Sequence, residues 1–204
     1  MGTLKARSFL FAVIVFCIQI SGALFAQSTI NPVASASTFE GGIGYVFMSQ
    51  TSPSQPRMNL NGLDANGQIR LTARWAGMVD FTYARAGNIP GTGHSDSVFS
   101  GLVGPVYYVK VGEGTEIFLH GLMGLAWVDS AVPVGSNEIF KGYETRFSYA
   151  VGGGVERPLF GPFAIRASAD YQRTSFVDST LALQGQNNIR VTGSIQYRFG
   201  RRQW

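Results

Sequence analysis

Hydrophobic and polar residues alternate along most of the chain, and the last such stretch shows the pattern clearly. In Asn188 to Phe199 (NIRVTGSIQYRF), every second residue from Ile189 is apolar, aromatic or glycine, and the residues between them are polar or charged. Successive side chains of a β-strand point to opposite faces, so this stretch predicts a strand with one apolar and one polar face. We expect it to pair with the first strand and close a barrel.

The same period of two recurs in seven earlier stretches, separated by segments that favour turns and loops. This predicts an all-β chain in which long and short connections alternate. We expect a bulge at Pro105, which cannot donate to a strand ladder. The predicted strands are Thr38–Met48, Leu63–Ala73, Gly77–Ala86, Val98–Lys110, Glu116–Val128, Glu144–Arg157, Pro162–Thr174 and Asn188–Phe199.

Alternation alone does not show which face of the sheet meets solvent. A soluble eight-stranded barrel such as a lipocalin would turn its apolar face inward. Here the apolar phase carries bulky aromatic side chains on every strand except the second, which is too much volume for such an interior. Charged residues are only 14% of the chain, whereas a soluble surface carries about 25–35%. These features favour an eight-stranded antiparallel up-and-down transmembrane β-barrel. In such a barrel we expect Leu71, on the apolar face, to lie near mid-membrane. The soluble barrel is the alternative.

The N-terminus has the order of a secretory signal peptide. The basic residues Lys5 and Arg7 precede an apolar run, and small residues follow it up to Ala26. The only cysteine, Cys17, lies inside this segment, so we expect a mature chain without a disulfide or a thiolate. Its charge is too small to suggest a nucleic-acid partner. The predicted organisation is a signal peptide (1–26), a periplasmic lead (27–37), the barrel (38–199) and a C-terminal tail (200–204). Ser21-Gly22-Ala23 is a second candidate for cleavage. A membrane anchor is the alternative to a signal peptide, although the apolar run is short for a span of about 20 residues.

Five stretches of this chain resemble the small OmpA-like and opacity-type outer-membrane barrels. The resemblance covers Thr38 to Gly200 and identifies architecture better than activity. We expect no peptidoglycan-binding domain after Gly200. The stretches are Asn59-Leu60-Asn61-Gly62-Leu63-Asp64-Ala65, Phe118-Leu119-His120-Gly121, Tyr149-Ala150-Val151-Gly152-Gly153-Gly154-Val155, Arg166-Ala167-Ser168-Ala169-Asp170-Tyr171 and Ile195-Gln196-Tyr197-Arg198-Phe199-Gly200.

The resemblance implies a location, partners and an assembly signal. The location is the outer membrane of a Gram-negative-type bacterium, and the chain would be a monomer. The partners would be outer-membrane lipids and lipopolysaccharide, periplasmic chaperones and the barrel-assembly machinery. The family's assembly signal corresponds here to Tyr197 and Phe199, although Trp204 follows after a short basic tail.

Charged residues on the polar phase align when each short turn is centred, which predicts ion pairs inside the barrel. An eight-stranded interior is only wide enough for side chains to fill it, so paired charges predict an occluded lumen. On the wet face of a soluble barrel the same pairs would contribute only about 0–1 kcal/mol each. The predicted pairs are Arg70–Asp80, Lys110–Glu116, Glu156–Arg166 and Glu40–Arg198, the last across the closure of the first and last strands.

Candidate catalytic residues are few. His94 lies in a loop, and His120 shares the polar phase with Glu116 at a distance of about 13 Å along the strand. By resemblance, lipid A deacylases of this barrel type place His and Ser two apart on the outer face, but Leu122 stands in that position here. Gly152-Gly153-Gly154 lacks the lysine and helix of a phosphate loop and predicts close strand approach or a bend. We therefore expect neither enzyme activity nor a cofactor or metal.

Three functions are compatible with these features. The first is a structural or surface-interaction barrel that supports envelope integrity or presents loops for contact. The alternative is a narrow channel for ions or small solutes, and the second alternative is a lipid-A-modifying enzyme.

Overall fold

The computed structural model describes residues 39–52, 55–87, 95–112, 114–134, 138–177 and 183–199. These residues form one closed antiparallel barrel in which each strand pairs with its neighbours in sequence and β1 pairs with β8. The predicted eight-stranded barrel is therefore confirmed. The strands are β1 Phe39–Ser52, β2 Gln55–Arg70, β3 Trp75–Ala86, β4 Asp96–Val111, β5 Thr115–Val134, β6 Glu138–Pro158, β7 Phe163–Val177 and β8 Leu183–Phe199.

Several predictions fall on other parts of the chain. The predicted signal peptide with Cys17, the periplasmic lead, His94 and the tail from Gly200 all lie outside the described residues. Within the described residues there is no helix with the length and hydropathy that a membrane-crossing helix requires.

The strands are longer than the sequence pattern predicts, and the loops are shorter. Gln50 to Gly62 is predicted as a loop, yet β1 continues to Ser52 and β2 begins at Gln55. Gly62 lies inside β2, opposite Val46, and a Cβ there would collide with the backbone oxygen of Tyr83. This glycine therefore allows two strands to approach closely, rather than forming a turn.

The strands are staggered by a fixed amount around the barrel. The register partner of Glu40 can be followed from each strand to the next around the barrel. This path returns to β1 at Gln50, ten residues after Glu40. Such a stagger tilts the strands relative to the barrel axis and, with the strand number, determines the interior width. The inward side chains of neighbouring strands consequently lie at graded heights and interleave within the lumen.

The outer face of the barrel is apolar. At mid-height the side chains of Ile43, Leu63 and Leu119 are 74%, 68% and 62% exposed. Aromatic rings pair on the outer face at the end of the barrel that carries the short turns, which we call the turn end. The ring centroids are 5.3 Å apart for Phe39–Phe199, 4.9 Å for Trp75–Tyr107 and 5.3 Å for Phe163–Tyr197. An apolar band bordered by aromatic residues is the exterior of an outer-membrane barrel.

Two local predictions are wrong. Strand β4 has no bulge at Pro105, because its register with β5 is the same before and after this residue; only the ladder partners of Gly104 and Pro105 are missing. Leu71 is 61% exposed, but it lies in the turn after β2 rather than at mid-membrane.

Candidate functional site

The polar faces of all eight strands meet in the lumen, where they form three layers between the turn end and the opposite, loop end. At the turn end lie three glutamates and three arginines, which we call the turn-end cluster. All six are buried. The three carboxylates balance the three guanidinium groups in charge. The turn-end cluster comprises Glu40, Arg70, Glu116, Glu156, Arg166 and Arg198.

Glu156 is the hub of the turn-end cluster. The guanidinium of Arg166 donates to Glu156 Oε2 from Nε at 3.0 Å and from Nη2 at 2.7 Å. Arg198 Nη2 donates to Glu156 Oε1, and Arg70 Nη2 lies 3.7 Å from the same oxygen. A carboxylate removed from water is costly unless it is paired and hydrogen-bonded. Glu156 meets that requirement through guanidinium groups from three different strands.

Tyr108 and Gln68 fill the space between the guanidinium groups. The Arg70 guanidinium carbon lies 3.4 Å from the centroid of the Tyr108 ring, which is a cation–π distance. The Tyr108 hydroxyl donates to Gln68 Oε1 at 2.6 Å, and Arg166 Nη2 donates to the same oxygen at 2.9 Å. Hydrogen bonds, ion pairs and a cation–π contact therefore join these side chains into one network at the turn end of the lumen.

Two of the predicted ion pairs are in contact. Glu156 lies opposite Arg166 on β7, with the hydrogen bonds given above. Glu40 lies opposite Arg198 on β8, and Arg198 Nε is 3.4 Å from Glu40 Oε1.

The prediction for Lys110 and Glu116 needs correction. The two residues are direct partners on β4 and β5, but the Lys110 side chain is exposed, and Glu116 instead accepts from Arg70 Nη2 at 2.7 Å. Lys110 is next to the last residue of β4, so its flexible chain reaches water.

The Arg70–Asp80 pair is wrong in register. The turn after β2 spans residues 71–74, where the amides of Leu71 and Thr72 both donate to the carbonyl of Trp75. Arg70 consequently lies opposite Ala76, and Asp80 opposite Asn66. The predicted strands place this turn at residues 74–76, which displaces the predicted partner of Arg70 by four residues, from Ala76 to Asp80. Because four is an even number, the predicted face is right although the predicted partner is wrong. Both side chains do point inward, as predicted.

A second cluster, the mid-lumen cluster, surrounds Arg190 on β8. Arg190 is 1% exposed. Its Nη1 donates to Asp80 Oδ1 at 2.6 Å and to Thr82 Oγ1 at 2.7 Å, and its Nη2 lies 2.8 Å from Asp170 Oδ2. Sequence reasoning missed Arg190, because a long connection between β7 and β8 does not determine their register.

The mid-lumen cluster extends to the only inward histidine of the described strands. His120 Nε2 is hydrogen-bonded to Asp170 Oδ1 at 2.7 Å. Gly152 lies on the strand between them and is the partner of both. A Cβ at Gly152 would collide with the Asp170 carboxylate, so the missing side chain is what allows the two to meet. This supports the interpretation of the triple glycine as a place of close approach.

The loop-end layer is divided into two walls. Its polar wall, on β6 to β8, consists of Ser148, Gln172, Thr174, Gln186 and Asn188, all buried. Its other wall, on β1 to β5, also holds the buried polar residues Gln50 and Asp96. The rest of that wall is apolar and consists of Val46, Met48, Met58, Leu60, Ala84, Ala86, Val98 and Val128. Buried side chains therefore point into the lumen in all three layers.

Among the described residues, Asp170 is the one hydrogen-bond partner recorded for the His120 ring. Its Nδ1 has no hydrogen-bond partner, and the nearest acid, Asp170, is bonded to Arg190 as well. Among the described residues, no group of three or more His, Cys, Asp or Glu side chains is placed to hold a metal ion.

Solved structures share this architecture. No protein-family model and no curated protein sequence matches the chain. Neisserial surface protein A (NspA) aligns with a TM-score of 0.65 and 14% identity over 79% of this chain and 97% of that one. Ail, the attachment invasion locus protein of Yersinia pestis, aligns with a TM-score of 0.57 and 18% identity over 80% of this chain and 99% of that one. OprG, an outer-membrane protein from Pseudomonas aeruginosa, aligns with a TM-score of 0.51 and 10% identity over 81% of this chain and 97% of that one.

These similarities show the fold. The chain has the architecture of the small eight-stranded outer-membrane barrels, as the sequence motifs predict. A further structure of Ail, with a TM-score of 0.55, contains the heparin analogue sucrose octasulfate.

Proposed function

We propose that this chain, an eight-stranded outer-membrane barrel by its fold, has an occluded lumen and serves the envelope as a structural and surface-contact protein. The observation that supports occlusion is the span of its arginine side chains. Arg190 connects β8 to β3, Arg166 connects β7 to β2, and Arg70 connects β2 to β5. These strands lie on different sides of the barrel, so the bonds cross the lumen.

Charge balance supports the same conclusion. A conducting pore needs a continuous water path and groups that bind an ion weakly enough to release it. Here the turn-end carboxylates are engaged by guanidinium groups. The rings of Tyr108 and Phe118 lie against the guanidinium groups of Arg70 and Arg166.

Surface contact would take place at the loop end. At the loop end, β5 and β6 are paired up to Val134 and Glu138. The neighbouring strands stop earlier, since β4 begins at Asp96 and β7 ends at Val177. The β5–β6 hairpin therefore extends beyond its neighbours. Exposed arginines of the loop end are Arg57, Arg85 and Arg173. Because Ail holds a sulfated sugar, we propose that these arginines contact phosphates of lipopolysaccharide.

The remaining parts of the proposal concern assembly and chemistry. The chain is monomeric, and it reaches the outer membrane with periplasmic chaperones and the barrel-assembly machinery. It is not an enzyme, because His120 has no nucleophile within hydrogen-bonding distance.

Planar-bilayer recording tests occlusion. We expect the folded wild-type barrel to give no steady unitary conductance, and the double variant Arg166→Ala/Arg190→Ala to conduct, because it removes two side chains that cross the lumen. Barrel formation by each protein is checked by its heat-dependent mobility in gels. Steady openings from the wild type would favour the channel alternative.

A further inference from the structure

Acidic and basic side chains are segregated between the inside and the outside of this barrel. Of the eight carboxylates whose side chains the structure describes, seven are buried, and the eighth, Glu144, is half-buried and paired with Arg146. Every fully exposed charge among the described side chains is basic. These exposed residues are Arg57, Arg74, Arg85, Lys110, Arg157 and Arg173.

At the turn end, two of these cations are held beside an aromatic pair. We call Arg74, Trp75, Tyr107 and Lys110 the turn-end surface. The amide of Tyr108 donates to the carbonyl of Arg74 at 2.7 Å, which ties the turn after β2 to β4. Trp75 and Tyr107 are direct partners with ring centroids 4.9 Å apart. The two cations are therefore placed at the end of the same strand pair as the two rings.

The protein itself supplies no counter-ion to this surface among the described residues. Arg74 and Lys110 make no ion pair there, while the nearest strand carboxylate, Glu116, is bonded by Arg70 on the inner face. Apolar side chains adjoin the surface on the outer side of the barrel, where Leu71 and Val109 are exposed. The surface thus combines aromatic, apolar and cationic side chains at the turn end.

We propose that the turn-end surface binds the phosphate of an anionic phospholipid headgroup. The proposal rests on the outer-membrane barrel of the Proposed function: such barrels have short periplasmic turns and longer external loops, so the turn end lies at the inner, phospholipid leaflet. Trp and Tyr rings prefer the headgroup level of a membrane. Guanidinium and ammonium groups bind phosphate oxygens through charge-assisted hydrogen bonds, and basic residues near a membrane surface attract anionic lipids.

Each part of the surface has a role in holding this lipid. Arg74 presents a planar fork that matches phosphate oxygens, and Lys110 adds a second charge on a flexible stem. Trp75 and Tyr107 lie toward the upper acyl chains, and Leu71 and Val109, which the register places nearer the turn end, lie against the glycerol region. The lipid phosphate then supplies a counter-charge to Arg74 and Lys110.

Tryptophan quenching by brominated lipids tests the proposal at the site itself. A protein carrying Trp127→Phe and Trp204→Phe keeps Trp75 as its only reporter. It is folded into phosphatidylcholine vesicles that contain a small fraction of brominated phosphatidylglycerol or, in parallel, of brominated phosphatidylcholine. We expect phosphatidylglycerol to associate about five-fold more strongly at low salt, with the preference falling towards one in high salt.

Variants separate the turn-end surface from general charge effects. Arg74→Gln/Lys110→Gln should abolish the preference seen by Trp75. The matched control Arg85→Gln/Arg173→Gln removes the same charge at the loop end and should leave it unchanged. Equal quenching by both lipids, or equal losses in both variants, would overturn the proposal. Absence of quenching by either lipid would instead contradict the membrane placement itself.

Discussion

At the scale of single residues, the lumen depends on a few guanidinium groups. Arg190 satisfies Asp80 and Asp170 together, so its removal leaves two buried carboxylates without their cation. Removing one partner of a buried pair costs far more than the pair contributes, because the remaining charge stays out of water. Exposed ion pairs lack this asymmetry.

We therefore expect Arg190→Met to lower the free energy of unfolding in lipid vesicles by about 3–5 kcal/mol. The control Arg85→Met removes an exposed arginine from the outer face and should cost less than about 1 kcal/mol. Adding Asp80→Asn to Arg190→Met should recover part of the loss. Equal effects of the two methionine variants in a denaturant titration would show that Arg190 is not held in a dry pair.

The lipid-facing residues allow a second test at this scale. Ile43 is at mid-height on β1 and Leu71 is in a turn, although both are strongly exposed. Ile43→Arg should destabilise the folded barrel by about 2–4 kcal/mol, because the charge enters the centre of the apolar band. Leu71→Arg should cost little, since its side chain reaches the headgroups. A larger loss for Leu71→Arg in the same titration would contradict the assigned height.

At the scale of elements, alternation in the sequence predicts which residues face the lumen, but register requires the turns. The face of Arg70 and Asp80 is predicted correctly and their partners are not, because the position of a turn must be known to the residue. The turn before β7 is short and correctly placed, and there Glu156 does meet Arg166. Predicting the contacts of Arg190 requires the register across the long β7–β8 connection and the arrangement of strands around the lumen. A local sequence pattern contains neither.

The closure of β1 on β8 leads to a prediction about assembly. Phe199 lies opposite Phe39, and its ring packs 4.6 Å from that of Tyr197. We expect Phe199→Ala to lower the yield of folded barrel in outer membranes and deletion of residues 200–204 to be tolerated. The measurement is the heat-modifiable fraction in isolated membranes. If the deletion stops assembly and Phe199→Ala does not, the signal lies in Trp204.

At the scale of the whole molecule, the barrel places its acids inside and leaves only cations exposed, within the described side chains. This segregation follows from the geometry of a narrow lumen, where fixed strand heights allow three glutamates and three arginines to neutralise each other. Composition predicts a poorly charged chain but not this segregation of acids from bases. The face on which a charged side chain lies depends on its position in the strand alternation, and its height in the barrel depends on the stagger between strands.

The bonds that cross the lumen have a consequence for the order of folding. Arg190 and Asp80 are 110 residues apart in sequence, and Arg166 and Gln68 are 98 apart. Contacts between such distant residues form late, because the intervening chain must first lose its freedom. An open sheet of a few strands would expose these charges to lipid or leave them unpaired. Intermediates short of eight strands are therefore poor end states, and ring closure and neutralisation of the interior are completed as a single cooperative event.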